Sequence, residues 1–135
     1  MDTRTKDLLS VRPEIPSAKV TDNMSRDEQF QNKTLRPVIK LQNDLLVEAF
    51  RNYVNKHKGF FYTLGLPKQL NYIENAIHRD IKFRNSLKGM IIGQFTVEEY
   101  QTYIQNSSSL NKRMMNTVIE RLKDQVQLFD KEQVA

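Results

Sequence analysis

Apolar residues recur every three or four positions along most of this chain, which is the spacing of an α-helix with one buried face. In the first long stretch the row runs through Val38, Leu41 and Leu45, and Thr34 is the expected N-cap. Similar rows follow, so that three long helices are predicted at about residues 35–57, 67–92 and 109–131. No stretch alternates apolar and polar residues with a period of two, and the sequence therefore predicts no β-strand.

Two capping sequences mark the starts of shorter helices. Ser25 and Glu28 are three residues apart, as are Thr96 and Glu99. This is the spacing of a capping box, in which the first side chain accepts from the N3 amide and the acid reaches back to the cap. The two boxes predict short helices at about residues 26–32 and 97–105.

The N-terminal segment differs from the rest of the chain. Pro13 and Pro16 each disfavour helical geometry in the residue that precedes them. Residues 1–23 are therefore predicted to form an extended, partly disordered arm, and residues 24–135 a helical bundle domain. A length of 135 residues suits one domain. The expected fold class is all-α, a single-domain bundle of three long and two short helices.

Composition limits the class of protein and the kinds of chemistry to which this domain can belong. Hydrophobic residues make up 39% and charged residues 27% of the chain, proportions typical of a folded soluble protein. No stretch approaches the roughly 18 apolar residues of a membrane span, and no secretory signal is recognisable at the N-terminus. We therefore expect a cytoplasmic protein without a membrane partner. The absence of cysteine excludes disulfides, thiol catalysis and thiolate metal sites.

No catalytic motif is recognisable, so the sequence favours a non-catalytic protein without cofactors. Only two histidines occur, and one of them, His78, lies four residues after Glu74. Such a pair shares a helix face and would supply two metal ligands. It is not repeated elsewhere, however, and a surface pair is the better interpretation. No metal site is predicted.

The leading functional hypothesis is a helical interaction module that associates with itself or with another protein. The apolar face of residues 110–129 is broad and is predicted to exceed what one small core can cover. A row with spacings of four, three, four and three lies along it and predicts a homo-oligomer contact. Its members are Met115, Ile119, Leu122, Val126 and Phe129.

Positive charge is concentrated in the middle of the chain. Lys and Arg outnumber Asp and Glu by eleven to four over residues 33–93, whereas acidic residues are in slight excess on either side. This distribution meets one condition for nucleic-acid or polyanion binding, the alternative function. A solvated helix face explains the same pattern without any ligand. The candidate polyanion-binding residues are Arg36, Lys40, Arg79, Lys82, Arg84 and Lys88.

Two further functional interpretations of the sequence stay open. Residues 96–123 have the outline of a helix-turn-helix, but the start of the second helix carries Leu110, Met114 and Met115 where base-reading side chains are usually polar. An enzyme or ligand carrier would have a pocket near Phe60–Tyr62 and Tyr72. Aromatic residues at such positions more often fill the end of a bundle core.

Three segments of the chain resemble a family of short bacterial proteins that often carry an automatic "glyoxalase" label. They are Asn32–Leu46, Arg79–Asn85 and Gly93–Thr96, and the similarity extends over about residues 20–128. The resemblance implies an all-helical fold and supplies no functional residues. Glyoxalase activity itself is not expected, because known glyoxalases need metal ligands on a sheet or a His-rich motif. This chain has two histidines and no strand pattern.

Overall fold

Helices make up nearly all the regular structure of residues 2–129, the range that the structure, a computed structural model, describes. Eight α-helices and no β-strand occur in this range, which confirms the predicted all-α bundle. The helices are α1 (Thr3–Val11), α2 (Arg26–Phe30), α3 (Arg36–Leu41), α4 (Asn43–Lys56), α5 (Leu66–Arg79), α6 (Ile81–Ile92), α7 (Val97–Tyr103) and α8 (Ser107–Asp124). Short 3-10 helices lie at Phe60–Thr63 and Val126–Phe129.

A π-helical turn, Gln31–Leu35, joins α2 and α3 into one continuous helical run. The amide of Arg36 bonds to the carbonyl of Gln31, five residues back, instead of four. Pro37 accounts for this wider turn, because it has no N–H for the carbonyl of Lys33 and its ring would crowd that carbonyl. Thr34 therefore lies inside a helical run and is not the N-cap that the sequence predicts.

Two of the predicted long helices are interrupted inside the described range. The first is broken at Gln42, between α3 and α4, and the second at Asp80, between α5 and α6. Asp80 has extended backbone geometry, and its Oδ1 accepts the Phe83 amide at 3.2 Å, so it is the N-cap of α6. Ile81, which continues the apolar row of α5 in the sequence, is 61% exposed because of this break.

The last long helix is shorter than predicted. Helix α8 ends at Asp124, and the chain continues into the 3-10 helix that ends at Phe129. The remainder of the predicted span, residues 130–131, lies outside the described residues. The short helix α7 has both bonds of the predicted capping box: the Glu99 amide donates to Thr96 Oγ1 at 3.1 Å, and the Thr96 amide donates to Glu99 Oε1 at 2.8 Å.

The N-terminal arm is partly helical and is fixed to the body by polar contacts. Helix α1 replaces the extended geometry that was predicted for the first residues, although none of its side chains is fully buried. Arg12 follows α1 and forms a bidentate ion pair with Glu99, with both nitrogen–oxygen distances at 2.6 Å. Glu99 Oε2 also accepts from the hydroxyl of Thr34 at 2.9 Å.

The core lies where α4, α5, α6 and α8 meet. Helix α5 packs on α6 and α8, and α6 also packs on α4. Phe50 is fully buried at the centre, with its ring 5.0 Å from Phe129 and 5.3 Å from Phe61 between centroids. Aromatic packing of this kind stabilises a core beyond the area it buries. Phe50 also lies 6.4 Å from Phe83 near the start of α6, where the candidate site lies.

Candidate functional site

A cleft of about 590 Å³ opens where the end of α4, the last turns of α5 and the start of α6 come together. We call it the α4–α5–α6 cleft. Its volume falls within the range of about 300–1,000 Å³ that is usual for small-ligand sites. Its lining includes three rings, two cations and one carboxylate. The lining residues are Tyr53, His57, Tyr72, Asn75, Ala76, Arg79, Asp80, Ile81 and Lys82.

Two helix ends create this cleft. Helix α4 ends in a Schellman motif, in which the amide of Gly59 bonds to the carbonyl of Val54 at 3.0 Å and the amide of Lys58 to that of Asn55 at 3.1 Å. Lys58 has a φ of 63°, a left-handed geometry that is usual for glycine and uncommon for lysine. The motif turns the chain sharply and leaves His57 at the cleft.

The second helix end is the break at Asp80. It allows α6 to leave the direction of α5, so that Arg79 and Lys82, on either side of the break, both line the cleft. Both side chains are exposed to solvent. Arg84, on α6, donates a hydrogen bond across the break to the carbonyl of His78 at 3.2 Å. A continuous helix over 67–92 would not have produced this concave surface.

Three rings form a column that ends in the cleft. Tyr53 is stacked between Phe83 and His57, with a centroid distance of 4.2 Å and an interplanar angle of 28° on each side. Phe83 is buried and His57 is exposed, so the column leads from the core to the surface. Tyr72 lies against the same column, its ring 6.4 Å from that of Tyr53.

The carboxylate of Asp80 interacts with two neighbouring groups of the protein. It caps α6 through the Phe83 amide, and its negative charge acts on the hydroxyl of Tyr53. Burial, and then the negative charge and hydrogen bond of Asp80, raise the pKa of Tyr53 to about 12. Tyr53 is therefore a neutral hydrogen-bond donor at physiological pH and not a candidate base.

The six cations predicted to bind a polyanion are distributed over more than one surface. Arg79 and Lys82 line the α4–α5–α6 cleft. Arg36 and Lys40 instead line a second cleft, between the α2–α3 run and α8, which also contains two acidic residues. Arg36 is held there by Asn32 at 3.4 Å and by Ser17 at 3.1 Å. Arg84 and Lys88 are half-buried and line neither cleft.

The residues predicted for self-association belong to the core of this chain. Met115, Ile119, Leu122 and Phe129 are each at most 4% exposed, and Val126 is packed against the same core. Helices α5 and α6 and the α2–α3 run pack on α8 and cover this face. A second copy would reach these side chains only if the bundle opened, so any self-association surface has to lie elsewhere.

The remaining sequence candidates have structural partners of their own. Glu74 accepts from Lys123 Nζ at 2.9 Å across the α5–α8 contact, and this hydrogen bond and charge lower the pKa of Glu74. No cluster of three or more metal-ligating side chains occurs among residues 2–129. At the helix-turn-helix position, Leu110, Met114 and Met115 are buried, so that face of α8 packs inward.

The sequence identified Arg79, Lys82 and Tyr72 of the cleft but missed Tyr53 and His57. Nothing in the spacing of Tyr53 and His57 along the chain indicates a stack with Phe83. The aromatic run that was proposed as a pocket lies outside the cleft lining, with Phe61 buried and Phe60 exposed, although Tyr72 does line it. The one available signal was Asp80, a preferred N-cap residue within an otherwise helical pattern.

Similarity to known proteins does not define the site. The chain matches no family model, no curated protein and no solved structure. The resemblance to the short bacterial family thus stays a prediction. Within the described residues, no helix combines the length and apolar character that a membrane crossing needs.

Proposed function

We propose that this protein is a non-catalytic helical module that binds polyanions in the α4–α5–α6 cleft. The observation that carries the proposal is the pair of exposed cations, Arg79 and Lys82, on one concave surface. Concave surfaces lined by positive charge concentrate the field and attract anions more strongly than isolated cations do. The chain around the cleft adds to this field, because His57 stands between Lys56 and Lys58, which are both exposed.

The carboxylate in the cleft is compatible with an anionic ligand. Asp80 accepts from the Phe83 amide, so its charge is partly compensated by the start of α6. Arg79 and Lys82 form none of the ion pairs found among residues 2–129. Their charge is therefore available to a ligand.

The test is a titration with a labelled single-stranded oligonucleotide, followed by fluorescence anisotropy at several salt concentrations. Two phosphate contacts predict a slope of log affinity against log salt of about −1.4, at roughly 0.7 per phosphate on a single strand. The charge-reversed variant Arg79→Glu/Lys82→Glu should bind about 30-fold more weakly or worse. The reason is that each lost attraction contributes about 1 kcal/mol or more at a surface.

A matched control is Lys19→Glu/Lys112→Glu, which makes the same change in net charge at two exposed residues outside the cleft lining. It should retain most of the affinity. Equal losses in the two variants would mean that binding follows net charge alone, and the proposed site would be wrong. No binding by the wild-type protein at low salt would reject the polyanion function itself.

Self-association is a second candidate function, at a surface other than the predicted one. Val97, Tyr100 and Ile104 are spaced by three and four residues along α7 and the residue after it, and are 57%, 46% and 54% exposed. An apolar face of this kind, uncovered by the rest of the described chain, favours contact with a second copy. A twofold axis would place the face against itself.

Light scattering over a concentration series tests this candidate. We expect a dimer that Ile104→Lys converts to a monomer, because a charge buried in an apolar contact is not compensated. The control is Leu122→Ala, which should lower the free energy of unfolding by about 2–5 kcal/mol through loss of core packing and leave the oligomeric state unchanged. A wild-type monomer at high micromolar concentration would rule the candidate out.

A further inference from the structure

The outermost ring of the column Phe83–Tyr53–His57 is His57, and within residues 2–129 no other ring stacks on its outer face. His57 is exposed and lines the α4–α5–α6 cleft. Among residues 2–129 its only ring partner is Tyr53, which stacks on one face at 4.2 Å. Tyr53 itself is covered on both faces, by Phe83 and His57. The next position in the stack therefore lies beyond His57, on the side of the cleft or solvent.

The ring of His57 is also held in a fixed orientation. Its Nδ1 lies 2.9 Å from the carbonyl oxygen of Tyr53. Because a carbonyl only accepts hydrogen bonds, Nδ1 carries the proton of this bond. Stacking fixes the plane of the ring, and the hydrogen bond fixes its rotation in that plane. A ring fixed before the ligand arrives loses little conformational entropy on binding, which increases affinity.

We infer that this cleft takes single-stranded nucleic acid, with one base stacked on the outer face of His57 and neighbouring phosphates bound by Arg79 and Lys82. The inference rests on the polyanion function proposed above and assigns its ligand class. Fixed rings beside cations are the combination that binds single strands, because every base has a flat face and every nucleotide a negative charge.

Two other polyanions share only part of this chemistry. A duplex presents phosphates, but its bases are already stacked inside the helix and unavailable to His57. A chain of inorganic phosphate has the charge and no ring at all. Both would bind through Arg79 and Lys82 alone, so the single strand should bind more tightly by the contribution of one base–ring stack. That contribution corresponds to about 5- to 150-fold in affinity.

The recognition should be tolerant of sequence. Stacking uses the face of a base and not its hydrogen-bonding edge, so different bases differ only in stacking strength. Few polar side chains line the cleft, and the carboxylate of Asp80 already bonds to the amide of Phe83. We therefore expect little preference beyond that of larger over smaller ring systems.

The experiment compares three labelled or competing probes on the full chain: a single-stranded oligonucleotide, the duplex of the same sequence, and inorganic polyphosphate of matched charge. Three variants are compared with the wild type. His57→Ala removes the platform, and His57→Phe keeps a ring without the imidazole nitrogens. His78→Ala is the matched control, because it removes the other exposed histidine, which lies outside the cleft lining.

We expect the single strand to bind the wild type more tightly than the duplex or polyphosphate. His57→Ala should remove this difference, with a loss of about 5- to 150-fold for the single strand and little change for the other two probes. His57→Phe should restore most of the single-strand affinity, and His78→Ala should resemble the wild type. Folding of each variant is checked by its thermal transition.

The outcomes separate this inference from the function on which it rests. If all three probes bind equally, or if His57→Ala weakens all three alike, the cleft is a polyanion site without base stacking and the inference is wrong. If His57→Phe fails to restore affinity while folded, the imidazole acts through charge or hydrogen bonding, which also overturns it. If no probe binds the wild type, the polyanion function fails as well.

Discussion

At the scale of single residues, the most buried ion pair among residues 2–129 joins Arg12 and Glu99. Their side chains are only 7% and 14% exposed. Burial by itself would raise the pKa of Glu99. Hydrogen bonds from Arg12, the Thr96 amide and Thr34 outweigh burial, so the pKa lies below its usual value. One carboxylate thus joins the N-terminal arm, the α2–α3 run and the cap of α7.

Substitution of Glu99 should reveal this contact through its pH dependence. Since the folded state lowers the pKa of Glu99, its contribution is present above the ordinary carboxyl pKa and is lost as pH falls through the folded value. We expect Glu99→Gln to lower the free energy of unfolding by about 3 kcal/mol at pH 7, because it leaves a buried guanidinium unpaired. The deficit relative to wild type should shrink as the pH is lowered below about 5.

Urea unfolding at neutral and acidic pH measures this difference. Arg12→Met/Glu99→Gln is the companion variant, because removing both partners leaves no unpaired charge and should recover part of the loss. A deficit that is independent of pH would show that the carboxylate charge of Glu99 is not what stabilises the arm.

At the scale of elements, the ends of helices decide where the cleft forms. Lys58, in left-handed geometry, turns the chain after α4, and Asp80 separates α5 from α6. At Asp80 the apolar row of α5 continues in the sequence to Ile81, although the helix itself ends before it. The rows therefore predict that helices exist, while individual capping residues determine where they stop.

The N-cap at Asp80 can be tested by two substitutions. Asp80→Ala removes the acceptor of the Phe83 amide and should lower the free energy of unfolding by about 1 kcal/mol. It should also lower the pKa of Tyr53 from about 12, because a negative charge and an acceptor are lost. Thermal unfolding measures the first effect, and an ultraviolet titration of the phenol measures the second.

Asp80→Asn separates the cap from the charge. Asparagine is as good an N-cap as aspartate, so this variant should keep the stability of α6 while the pKa of Tyr53 still falls. If Asp80→Asn loses as much stability as Asp80→Ala, the carboxylate contributes through its charge and not through capping.

At the scale of the whole molecule, the apolar face of residues 110–129, which the sequence predicted to exceed one small core, is buried in a single core. The face of α8 is covered by α5, α6 and the α2–α3 run, and the 3-10 helix returns Phe129 to the centre. Positive charge, in contrast, is not gathered in one place. Of the six candidate cations, two line each of two clefts and two line neither, and only Arg79 and Lys82 share their cleft with aromatic rings.

The sequence by itself determined the fold class, the helices with a clear apolar period and the capping box of Thr96 and Glu99. These features depend on residues close together in the chain, where spacing translates directly into geometry. Tertiary structure alone decided that Arg12 meets Glu99, 87 residues away, and that Tyr53 stacks on Phe83. Such contacts depend on how helices pack, and the period of one helix contains no information about the ring that a distant helix places against it.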